Sequence, residues 1–456
     1  MKSSWAEMPN KVVPMISNFC GGINTSLEIK DHEAANSVNL CGGMTVRMPR
    51  KQIFPSIPNA YVNYFTLLAN GHFGAYYYDE SISTFVWRDI ESNIAMVMAD
   101  GYYPVSSIVF DRTNADDKVH LMTVGPNFLY VTDPVTQTTQ INVLAQTANF
   151  IATNGTHLFT ASAVGEYLVI GAERSYINWT GPDTKFFKIA KDEKNFCTGL
   201  ASHNGKIIYF SSKSMHEIYG TSLKNFVPRT VSDTVGCISN NSICRIGDSL
   251  YWMNSDGIYK YKGGTSPKKI SGKVQKFIDK INLSDLKIPP GAGTDGVRYY
   301  LSVVYENSAD NFTLVYDTEK DIWHIEDNPG FVRFVNKGMK MYGMTVDGRI
   351  FEMNSDTGDE VVEWSWASKP FYAMGQQWYK IFIMMDMNDD ARVDCTIACN
   401  GVDVYTAQIA GEKIRHCVEI PLDCVSDAEV IQIKLAGQGS CVLYGLERQF
   451  QSKGGL

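Results

Sequence analysis

The sequence has no uninterrupted apolar run approaching the ~20 residues that a membrane-spanning helix needs. Its first fifteen residues also lack the continuous apolar segment of a secretion signal. Both absences predict a soluble protein made in a cytoplasm. Basic residues are in deficit too, because 41 Lys and Arg stand against 49 Asp and Glu for a formal net charge of −8. A chain of this charge lacks the positive surface with which sequence-reading proteins hold nucleic acid, so wrapping of DNA is not expected.

The ten cysteines form no C-x-x-C pair, and the histidines form no H-x-x-x-H pair. Val393, Cys395, Ile397 and Cys399 occupy every second position, so on a strand both sulfurs lie on one apolar face, which is expected to face the core. His416 and Cys417 are adjacent and point to opposite sides of a strand. We therefore expect reduced, mostly buried thiols, no bound metal and no cofactor.

Sequence signatures of catalysis are also missing. No G-x-S-x-G, P-loop or H-E-x-x-H segment occurs. Ser255-Asp256-Gly257 matches only the start of the S-x-D-x-G-x-T-W turn of some glycosidases, and no pair of carboxylates stands out. The sequence predicts no catalytic residue and a protein that is not an enzyme.

What the sequence does contain favours strands and turns. Aromatic residues make up 12%, and 37 Gly outnumber 16 Pro. SLYWMNSDGIYKY, from Ser249 to Tyr261, has two apolar segments around Asp256-Gly257, which predicts a β-hairpin. Leu250 to Met253 is apolar on both faces, as in a strand covered from both sides.

The hairpin pattern recurs at intervals of 40 to 49 residues. The repeats begin at Gly71, Asp117, Gly165, Gly205, Gly247, Gly296 and Gly338. Repeats of about 40 to 50 residues with three or four short strands each are typical of a β-propeller, since one small sheet cannot bury both of its faces alone. The prediction is an all-β propeller of six to eight blades, with seven favoured. A long array of β-sandwiches is the alternative architecture.

The composition divides the chain into three parts. Residues 1–60 are predicted to be an extended segment that helps to close the propeller or contacts it, and residues 61–359 are the propeller itself. A helical insertion is expected near 262–290, because Val274, Phe277, Ile278 and Ile281 follow a helical spacing. Residues 360–456 alternate as strands around an Asn400-Gly401 turn, which predicts a C-terminal antiparallel β-sandwich.

Two surface features are functional candidates. Lysines cluster around the predicted insertion, and a solvated face is the simpler interpretation of such a cluster. The candidate interface residues are Lys268, Lys269, Lys273, Lys276 and Lys280, with Lys262 beside them. Trp179, Trp364 and Trp366 could stack on sugar rings if exposed, although core positions are the more common role of such residues.

The stretch FCGGINTSLEIKDHEAANSVNLCGGMTVRMPR, from Phe19 to Arg50, resembles the opening of many bacteriophage tail proteins. Gly21-Gly22-Ile23-Asn24, Asn36, Asn39 and Arg47 match that pattern, whereas Met48-Pro49-Arg50 departs from its Arg-Pro-Gly end. DIWHIEDNPGF and MYGMTVDGRIFEMNSDTGDEVVEWSW are similar to the last blade and exit strand of the same proteins. The family is the tail nozzle, or tail tubular protein B type, of short-tailed phages.

The resemblance implies a structural virion protein, made in the host bacterial cytoplasm, that assembles as a six-membered ring around the DNA exit channel. Its implied partners are further copies of itself, the portal, the adaptor and other tail proteins, with genomic DNA passing through without sequence-specific binding. The family carries no catalytic residues. A receptor-binding or carbohydrate-binding propeller remains the alternative function, and a propeller glycoside hydrolase is a third.

Overall fold

The computed structural model describes residues 11–452, except 43, 69, 98–105, 111–119, 125–127, 133–138, 145–146, 178, 180, 190–195, 265, 389–390, 412 and 426. The repeat start at Asp117 lies outside these residues. Five short strands come first. They are β1 (Lys11–Ile16), β2 (Asn36–Val38), β3 (Leu40–Cys41), β4 (Thr45–Val46) and β5 (Lys51–Phe54).

Seven antiparallel groups of four strands among the described residues form the blades of a β-propeller. Six of these blades are separate sheets, and blade 6 is part of a larger sheet. Blade 1 contains β6 (Ala60–Leu67), β7 (Phe73–Asp79), β8 (Thr84–Asp89) and β9 (Ile94–Val97). Blade 2 contains β10 (Ser106–Phe110), β11 (His120–Val124), β12 (Phe128–Thr132) and β13 (Thr139–Val143). Blade 3 contains β14 (Phe150–Thr153), β15 (Leu158–Ala161), β16 (Tyr167–Ile170) and β17 (Lys185–Lys188). Blade 4 contains β18 (Cys197–His203), β19 (Lys206–Ser211), β20 (Met215–Tyr219) and β21 (Val227–Ser232). Blade 5 contains β22 (Cys244–Ile246), β23 (Ser249–Asn254), β24 (Gly257–Tyr261) and β25 (Lys268–Lys269). Blade 6 contains β26 (Leu286–Thr294), β27 (Arg298–Tyr305), β28 (Phe312–Asp317) and β29 (Ile322–Asp327). Blade 7 contains β30 (Phe331–Lys337), β31 (Lys340–Thr345) and β32 (Ile350–Glu352) together with β5. The predicted propeller, with seven blades favoured, is confirmed.

The hairpin β23–β24 shows why the blades need one another. Leu250 and Trp252 point into a cluster shared with blade 4, whereas Tyr251 and Met253 point into a cluster shared with blade 6. Every residue of β23 is buried. A strand that is apolar on both faces is therefore satisfied only between two neighbouring sheets.

The turn of this hairpin differs from the prediction in one detail. Asn254 pairs with Gly257, so Ser255 and Asp256 form the turn. Gly257 itself does not have the positive φ that the Asp-Gly pattern suggests. It is glycine because of space, since a β-carbon there would lie 2.5 Å from Cε of Lys269 and 2.7 Å from Oγ of Ser271.

The fourth strand of blade 7 comes from the N-terminal segment. β5 pairs antiparallel with β32, with Phe54 opposite Ile350 and Lys51 opposite Glu352. The last blade therefore joins chain from before blade 1 to chain from after blade 6. Phe73, Val332 and Met344 share one apolar cluster across blades 1 and 7, so packing between side chains also closes the ring.

The helical insertion is much smaller than predicted. The helix α1 covers only Gln275–Ile278, preceded by a 3-10 turn at Gly272–Val274 and followed by another at Leu283–Asp285. Further 3-10 turns lie at Asn240–Ser242 and Ser308–Asp310. The segment is simply the connection from the outer strand of blade 5 to the inner strand of blade 6.

Local hydrogen bonds explain why the helix stays short. Ser271, at the N-terminal end, uses its Oγ to accept the N–H of Ile258 at 3.1 Å instead of capping the helix. The side chain of Asn282 accepts the N–H of Ser284 and so begins a new turn. Val274 and Ile278 still reach the core, because one helical turn is enough to bury an i, i+4 pair.

Eight strands of the C-terminal region complete the chain. They are β33 (Glu363–Ala367), β34 (Phe371–Tyr372), β35 (Gln376–Met387), β36 (Arg392–Cys399), β37 (Val402–Ile409), β38 (Arg415–Glu419), β39 (Val430–Gln438) and β40 (Cys441–Ser452). One sheet has the order β3-β4-β40-β35-β38 with β1 beside β40, and the other contains β2-β33-β39-β36-β37 with β34 beside β39. The two sheets enclose one apolar core, so the region is a β-sandwich.

The predicted patterns of the sandwich hold in detail. Val393, Cys395 and Ile397 are all fully buried. Asn400 and Gly401 have φ values of 49° and 85°, as a type I′ turn requires. β37 is the edge strand of its sheet, which explains why Val402 on the return strand remains exposed.

One sheet runs through both parts of the molecule. β2 pairs in parallel with β29 of blade 6 and antiparallel with β33 of the sandwich. The blade 6 sheet therefore continues into the sandwich as a single sheet of ten strands. The N-terminal segment thus serves both parts, supplying β1–β4 to the sandwich and β5 to the propeller.

Candidate functional site: the propeller–sandwich junction

The residues from Phe19 to Arg50, here called the N-terminal clamp, fill the junction between propeller and sandwich. Gly22 has a φ of 66°, and a β-carbon on it would lie 2.4 Å from the carbonyl oxygen of Trp323 in blade 6. Gly21 is equally confined, because its β-carbon would lie 2.5 Å from the carbonyl oxygen of His32. Ile23 is fully buried and donates its N–H to Trp323 O at 2.8 Å. Both glycines of the motif are therefore explained by close approach of the backbone.

Asn24 organises the loop that follows. Its amide donates to Oε2 of Glu33 at 2.7 Å and to the carbonyl oxygen of Glu28 at 3.1 Å. Oε1 of Glu33 forms an ion pair with the ammonium of Lys273 at 3.1 Å. Burial raises the pKa of Glu33. Hydrogen bonds from the backbone N–H of Lys30 and from the side chains of Asn24 and Lys273 outweigh burial and hold this pKa below its usual value.

Two buried arginines form the ionic centre of the clamp. Arg47 binds Asp327 at 2.9 Å and Glu360 at 2.6 Å, while Arg50 binds Glu326 at 3.2 Å and Asp327 at 3.1 Å. Asp327 ends blade 6 and Glu360 precedes the sandwich, so the arginines tie the two parts together. The Arg50–Glu326 pair is buried on both sides. Breaking such a pair typically costs about 3–5 kcal/mol, because the remaining charge is buried without a partner.

Asn39 fixes the local backbone of the clamp close to Arg47. Its φ is 60°, a conformation that asparagine tolerates better than most residues. Its side chain donates to the carbonyl oxygen of Glu363 at 2.7 Å and accepts from Nε of Arg47 at 3.0 Å. Asn36, which also matches the family pattern, is exposed at the start of β2.

Cys41, His324 and Glu326 meet beside the arginines, with one donor atom of each residue within 4.8 Å of the others. His324 and Glu326 alternate on β29, so both side chains leave the same face of that strand. Burial lowers the pKa of His324, but Cys41 and Glu326 outweigh burial and raise it to about 9. Burial raises the pKa of Glu326, whereas His324 and the arginines bring it to about 2.

A cleft of about 760 Å³ opens next to this centre. Its walls carry charges of both signs, with Asp327 and Glu360 on one side and Arg392 and Asp394 on the sandwich sheet. Gly437 in the floor lies against the ring of Trp364, where a β-carbon would come within 2.8 Å of the indole. The cleft borders the clamp without interrupting it.

The candidate lysines divide into two groups. Lys269 pairs with Asp256 at 3.4 Å and Lys273 pairs with Glu33 at 3.1 Å, so both already have acidic partners within the chain. Lys268, Lys276 and Lys280 are exposed. These three residues are called the lysine surface below. The neighbouring Lys262 is exposed too, but it lies 3.8 Å from Asp248 and so is also paired within the chain.

The other candidates from the sequence are core residues. Trp179, Trp364 and Trp366 are only 2–3% exposed, so none of them is the rim aromatic that the carbohydrate-binding alternative needs. Cys395 and Cys399 are buried free thiols. His416 is buried while Cys417 is exposed, as expected for neighbours on a strand.

A second group of possible metal ligands lies in blade 1 and contains His72, Asp89 and Glu91. The imidazole of His72 is bound to Asp89 at 2.9 Å. Glu91 accepts hydrogen bonds from the ammonium of Lys337 and from the N–H of Phe73, each at 2.5 Å. These contacts use the ligand atoms to hold the turn together and to tie it to blade 7, so the group has a structural explanation.

The sequence motif located the clamp but not its partners. His324, Glu326, Asp327 and Glu360 were not predicted, because their relation to the N-terminal segment spans about 300 residues of chain. One signal was present. The charged or polar residues His324 and Glu326 alternate with apolar neighbours in a strand of a closely packed repeat, and buried charges of this kind need partners.

These features define a seven-bladed β-propeller protein with a C-terminal β-sandwich. No family model matches the sequence, and no curated protein matches it either. Similar solved structures include BamB from Moraxella catarrhalis, with 8% identity and a TM-score of 0.43 over 68% of this chain and 99% of that chain. BBS1N has 11% identity and a TM-score of 0.41 over 69% and 99% of the two chains. PorZ from Porphyromonas gingivalis has 12% identity and a TM-score of 0.38 over 62% and 36%.

The likeness to these proteins concerns the fold alone. The helices in the described part of the chain all fall short of the length and apolar character needed to cross a bilayer.

Proposed function

We propose that this protein is a structural subunit of a short-tailed phage tail, assembled as a ring around the DNA exit channel. The observation that carries the proposal is the role of the family-like residues in the clamp. Gly22, Ile23, Asn39 and Arg47 contact blade 6 or the start of the sandwich, and Asn24 holds the loop of the clamp in shape. A motif that fixes two domains in one orientation suits a protein whose task is mechanical.

The continuity of the ten-stranded sheet supports the same function. A propeller and a sandwich joined only by a linker would move relative to each other, as is usual for domains with a small interface. Here β2 is hydrogen-bonded to both, and the buried arginines add ionic contacts across the same boundary. A subunit of this kind transmits a load from one neighbour to the next without bending at the junction.

The lysine surface is the proposed contact with neighbouring subunits or tail proteins. Its three positive charges lie on a chain whose net charge is −8, so an acidic surface of another copy attracts it. Each exposed pair contributes only about 0.2–1 kcal/mol, and salt weakens it. Such contacts set the register between subunits, while larger apolar contacts must supply most of the affinity.

Electron microscopy of the purified protein tests the proposal, with light scattering to count the subunits. Rings with a central hole are the expected result, either for the protein alone or after mixing with the portal and adaptor of the same phage. A protein that stays monomeric in both experiments, and is absent from purified virions, would refute the assignment. Such a result would favour the receptor-binding alternative, which a glycan array then tests.

A further inference from the structure

We propose that Cys41, His324 and Glu326 form a zinc site that fastens the sandwich to the propeller. The three residues come from opposite sides of the junction: Cys41 lies on β3 in a sandwich sheet, whereas His324 and Glu326 lie on β29 of blade 6. The sequence predicted no metal site, because local spacing cannot reveal ligands so far apart in the chain. This proposal does not depend on the phage assignment.

The separation of two of the three ligands fits a tetrahedral metal centre. Nε2 of His324 lies 3.4 Å from Oε1 of Glu326. Two ligand atoms about 2.0–2.2 Å from zinc at a tetrahedral angle are separated by roughly 3.3–3.5 Å. A charge-assisted hydrogen bond is normally shorter, at about 2.7–2.9 Å. The separation therefore suits two ligands of one ion better than a direct ion pair.

The donor set selects the metal. A thiolate, an imidazole and a carboxylate together are typical of zinc, whereas calcium and magnesium prefer oxygen ligands alone. Three protein ligands leave a fourth position for water. Cys41 is only partly buried, so the ion has access from that side, while His324 and Glu326 are 1% and 2% exposed.

The surroundings of the ligands support binding. Arg50 holds Oε2 of Glu326 at 3.2 Å, so Oε1 remains turned toward His324, as a supporting hydrogen bond to a metal ligand does.

Cobalt(II) and zinc titrations of the chelator-treated protein test the site. The wild type is expected to bind one ion per chain, and cobalt binding should produce the near-ultraviolet absorption of a metal–thiolate bond. Cys41→Ser should weaken binding at least tenfold and abolish that absorption. Cys20→Ser is the matched control, because Cys20 is an exposed thiol of the same clamp and should bind metal like the wild type.

A thermal measurement provides an independent readout. Zinc should raise the melting temperature of the wild type and of Cys20→Ser but leave that of Cys41→Ser unchanged. An ion stabilises the folded state only when the folded state binds it more tightly than the unfolded chain does. His324→Gln should behave like Cys41→Ser if it folds, as judged by circular dichroism. A folded wild type that binds no metal, or equal binding by Cys41→Ser, would overturn the proposal.

Discussion

Replacing Gly22 with alanine is the sharpest test of the clamp. Gly22 has a φ of 66°, and an added β-carbon would lie 2.4 Å from the backbone oxygen of Trp323 and 3.2 Å from Cβ of Ile322. The left-handed conformation alone costs an L-residue roughly 1–2 kcal/mol. Because the clashing atom belongs to the backbone of β29, it cannot rotate away, and the clamp must separate from blade 6.

That separation breaks the hydrogen bond from Ile23 to Trp323, which is 2.8 Å long. A buried backbone group that loses its partner costs a further ~1–3 kcal/mol. The expected loss for Gly22→Ala is therefore about 2–5 kcal/mol in all. This is a large fraction of the 5–15 kcal/mol that stabilises a typical domain.

Gly205→Ala is the matched control. Gly205 has a similar φ of 73°, but no atom lies within 4 Å of its β-carbon position. It should lose only the conformational share, roughly 1–2 kcal/mol. Urea unfolding of the two variants, followed by tryptophan fluorescence, measures the difference. If both variants unfold at the same urea concentration, the close contact between Gly22 and blade 6 does not stabilise the molecule and the role given to the clamp is wrong.

Three further predictions concern charged groups. Arg47→Met should cost about 1.5–3 kcal/mol in urea unfolding, because Asp327 and Glu360 lose a charged hydrogen-bond partner while they keep contact with water. Arg349→Met, at an exposed pair, should cost about 1 kcal/mol or less. Burial raises the pKa of Glu217, but hydrogen bonds from Tyr219 and Tyr261 and the charge of Lys206 outweigh burial and lower it. The stabilisation that ionised Glu217 gives to the folded state is therefore present at neutral pH and lost as acid protonates the carboxylate. Glu217→Gln should make the unfolding midpoint less sensitive to pH below about 4.5. Changing Lys268, Lys276 and Lys280 to Glu should leave the unfolding midpoint of the monomer unchanged but impair ring assembly, while the exposed Lys213 and Lys224 changed to Glu should assemble normally.

The sequence predicted the parts of the fold that depend on local pattern. The spacing of the repeats predicted the propeller, because each blade needs the same turns and the same two-sided apolar strand, as Leu250 to Met253 shows. Alternation also predicted the sandwich around Val393 and Ile397. The helix near Lys273 was overestimated, because apolar spacing reports which side chains are buried and not how many turns are hydrogen-bonded.

The junction could not be predicted in the same way, since its contacts join residues that are distant in the chain. The motif Gly21-Gly22-Ile23-Asn24 signalled a constrained backbone but not the strand that constrains it. That strand is β29, whose residues alternate between two environments: Trp323 and Ile325 pack into the core shared by blades 5 and 6, and His324 and Glu326 face the clamp.

This division explains how one repeat of a propeller acquires a second role without losing its first. Blade 6 keeps the apolar face that every blade needs, so it still stacks on its neighbour. Its other face packs Tyr300 and Val315 against Phe331 and Phe334 of blade 7. The outer strand β29 turns charged side chains to that side, where Arg50 of the clamp lies against Glu326. A change confined to His324 or Glu326 should therefore loosen the sandwich while the propeller remains closed, and limited proteolysis would detect it as release of an intact propeller fragment.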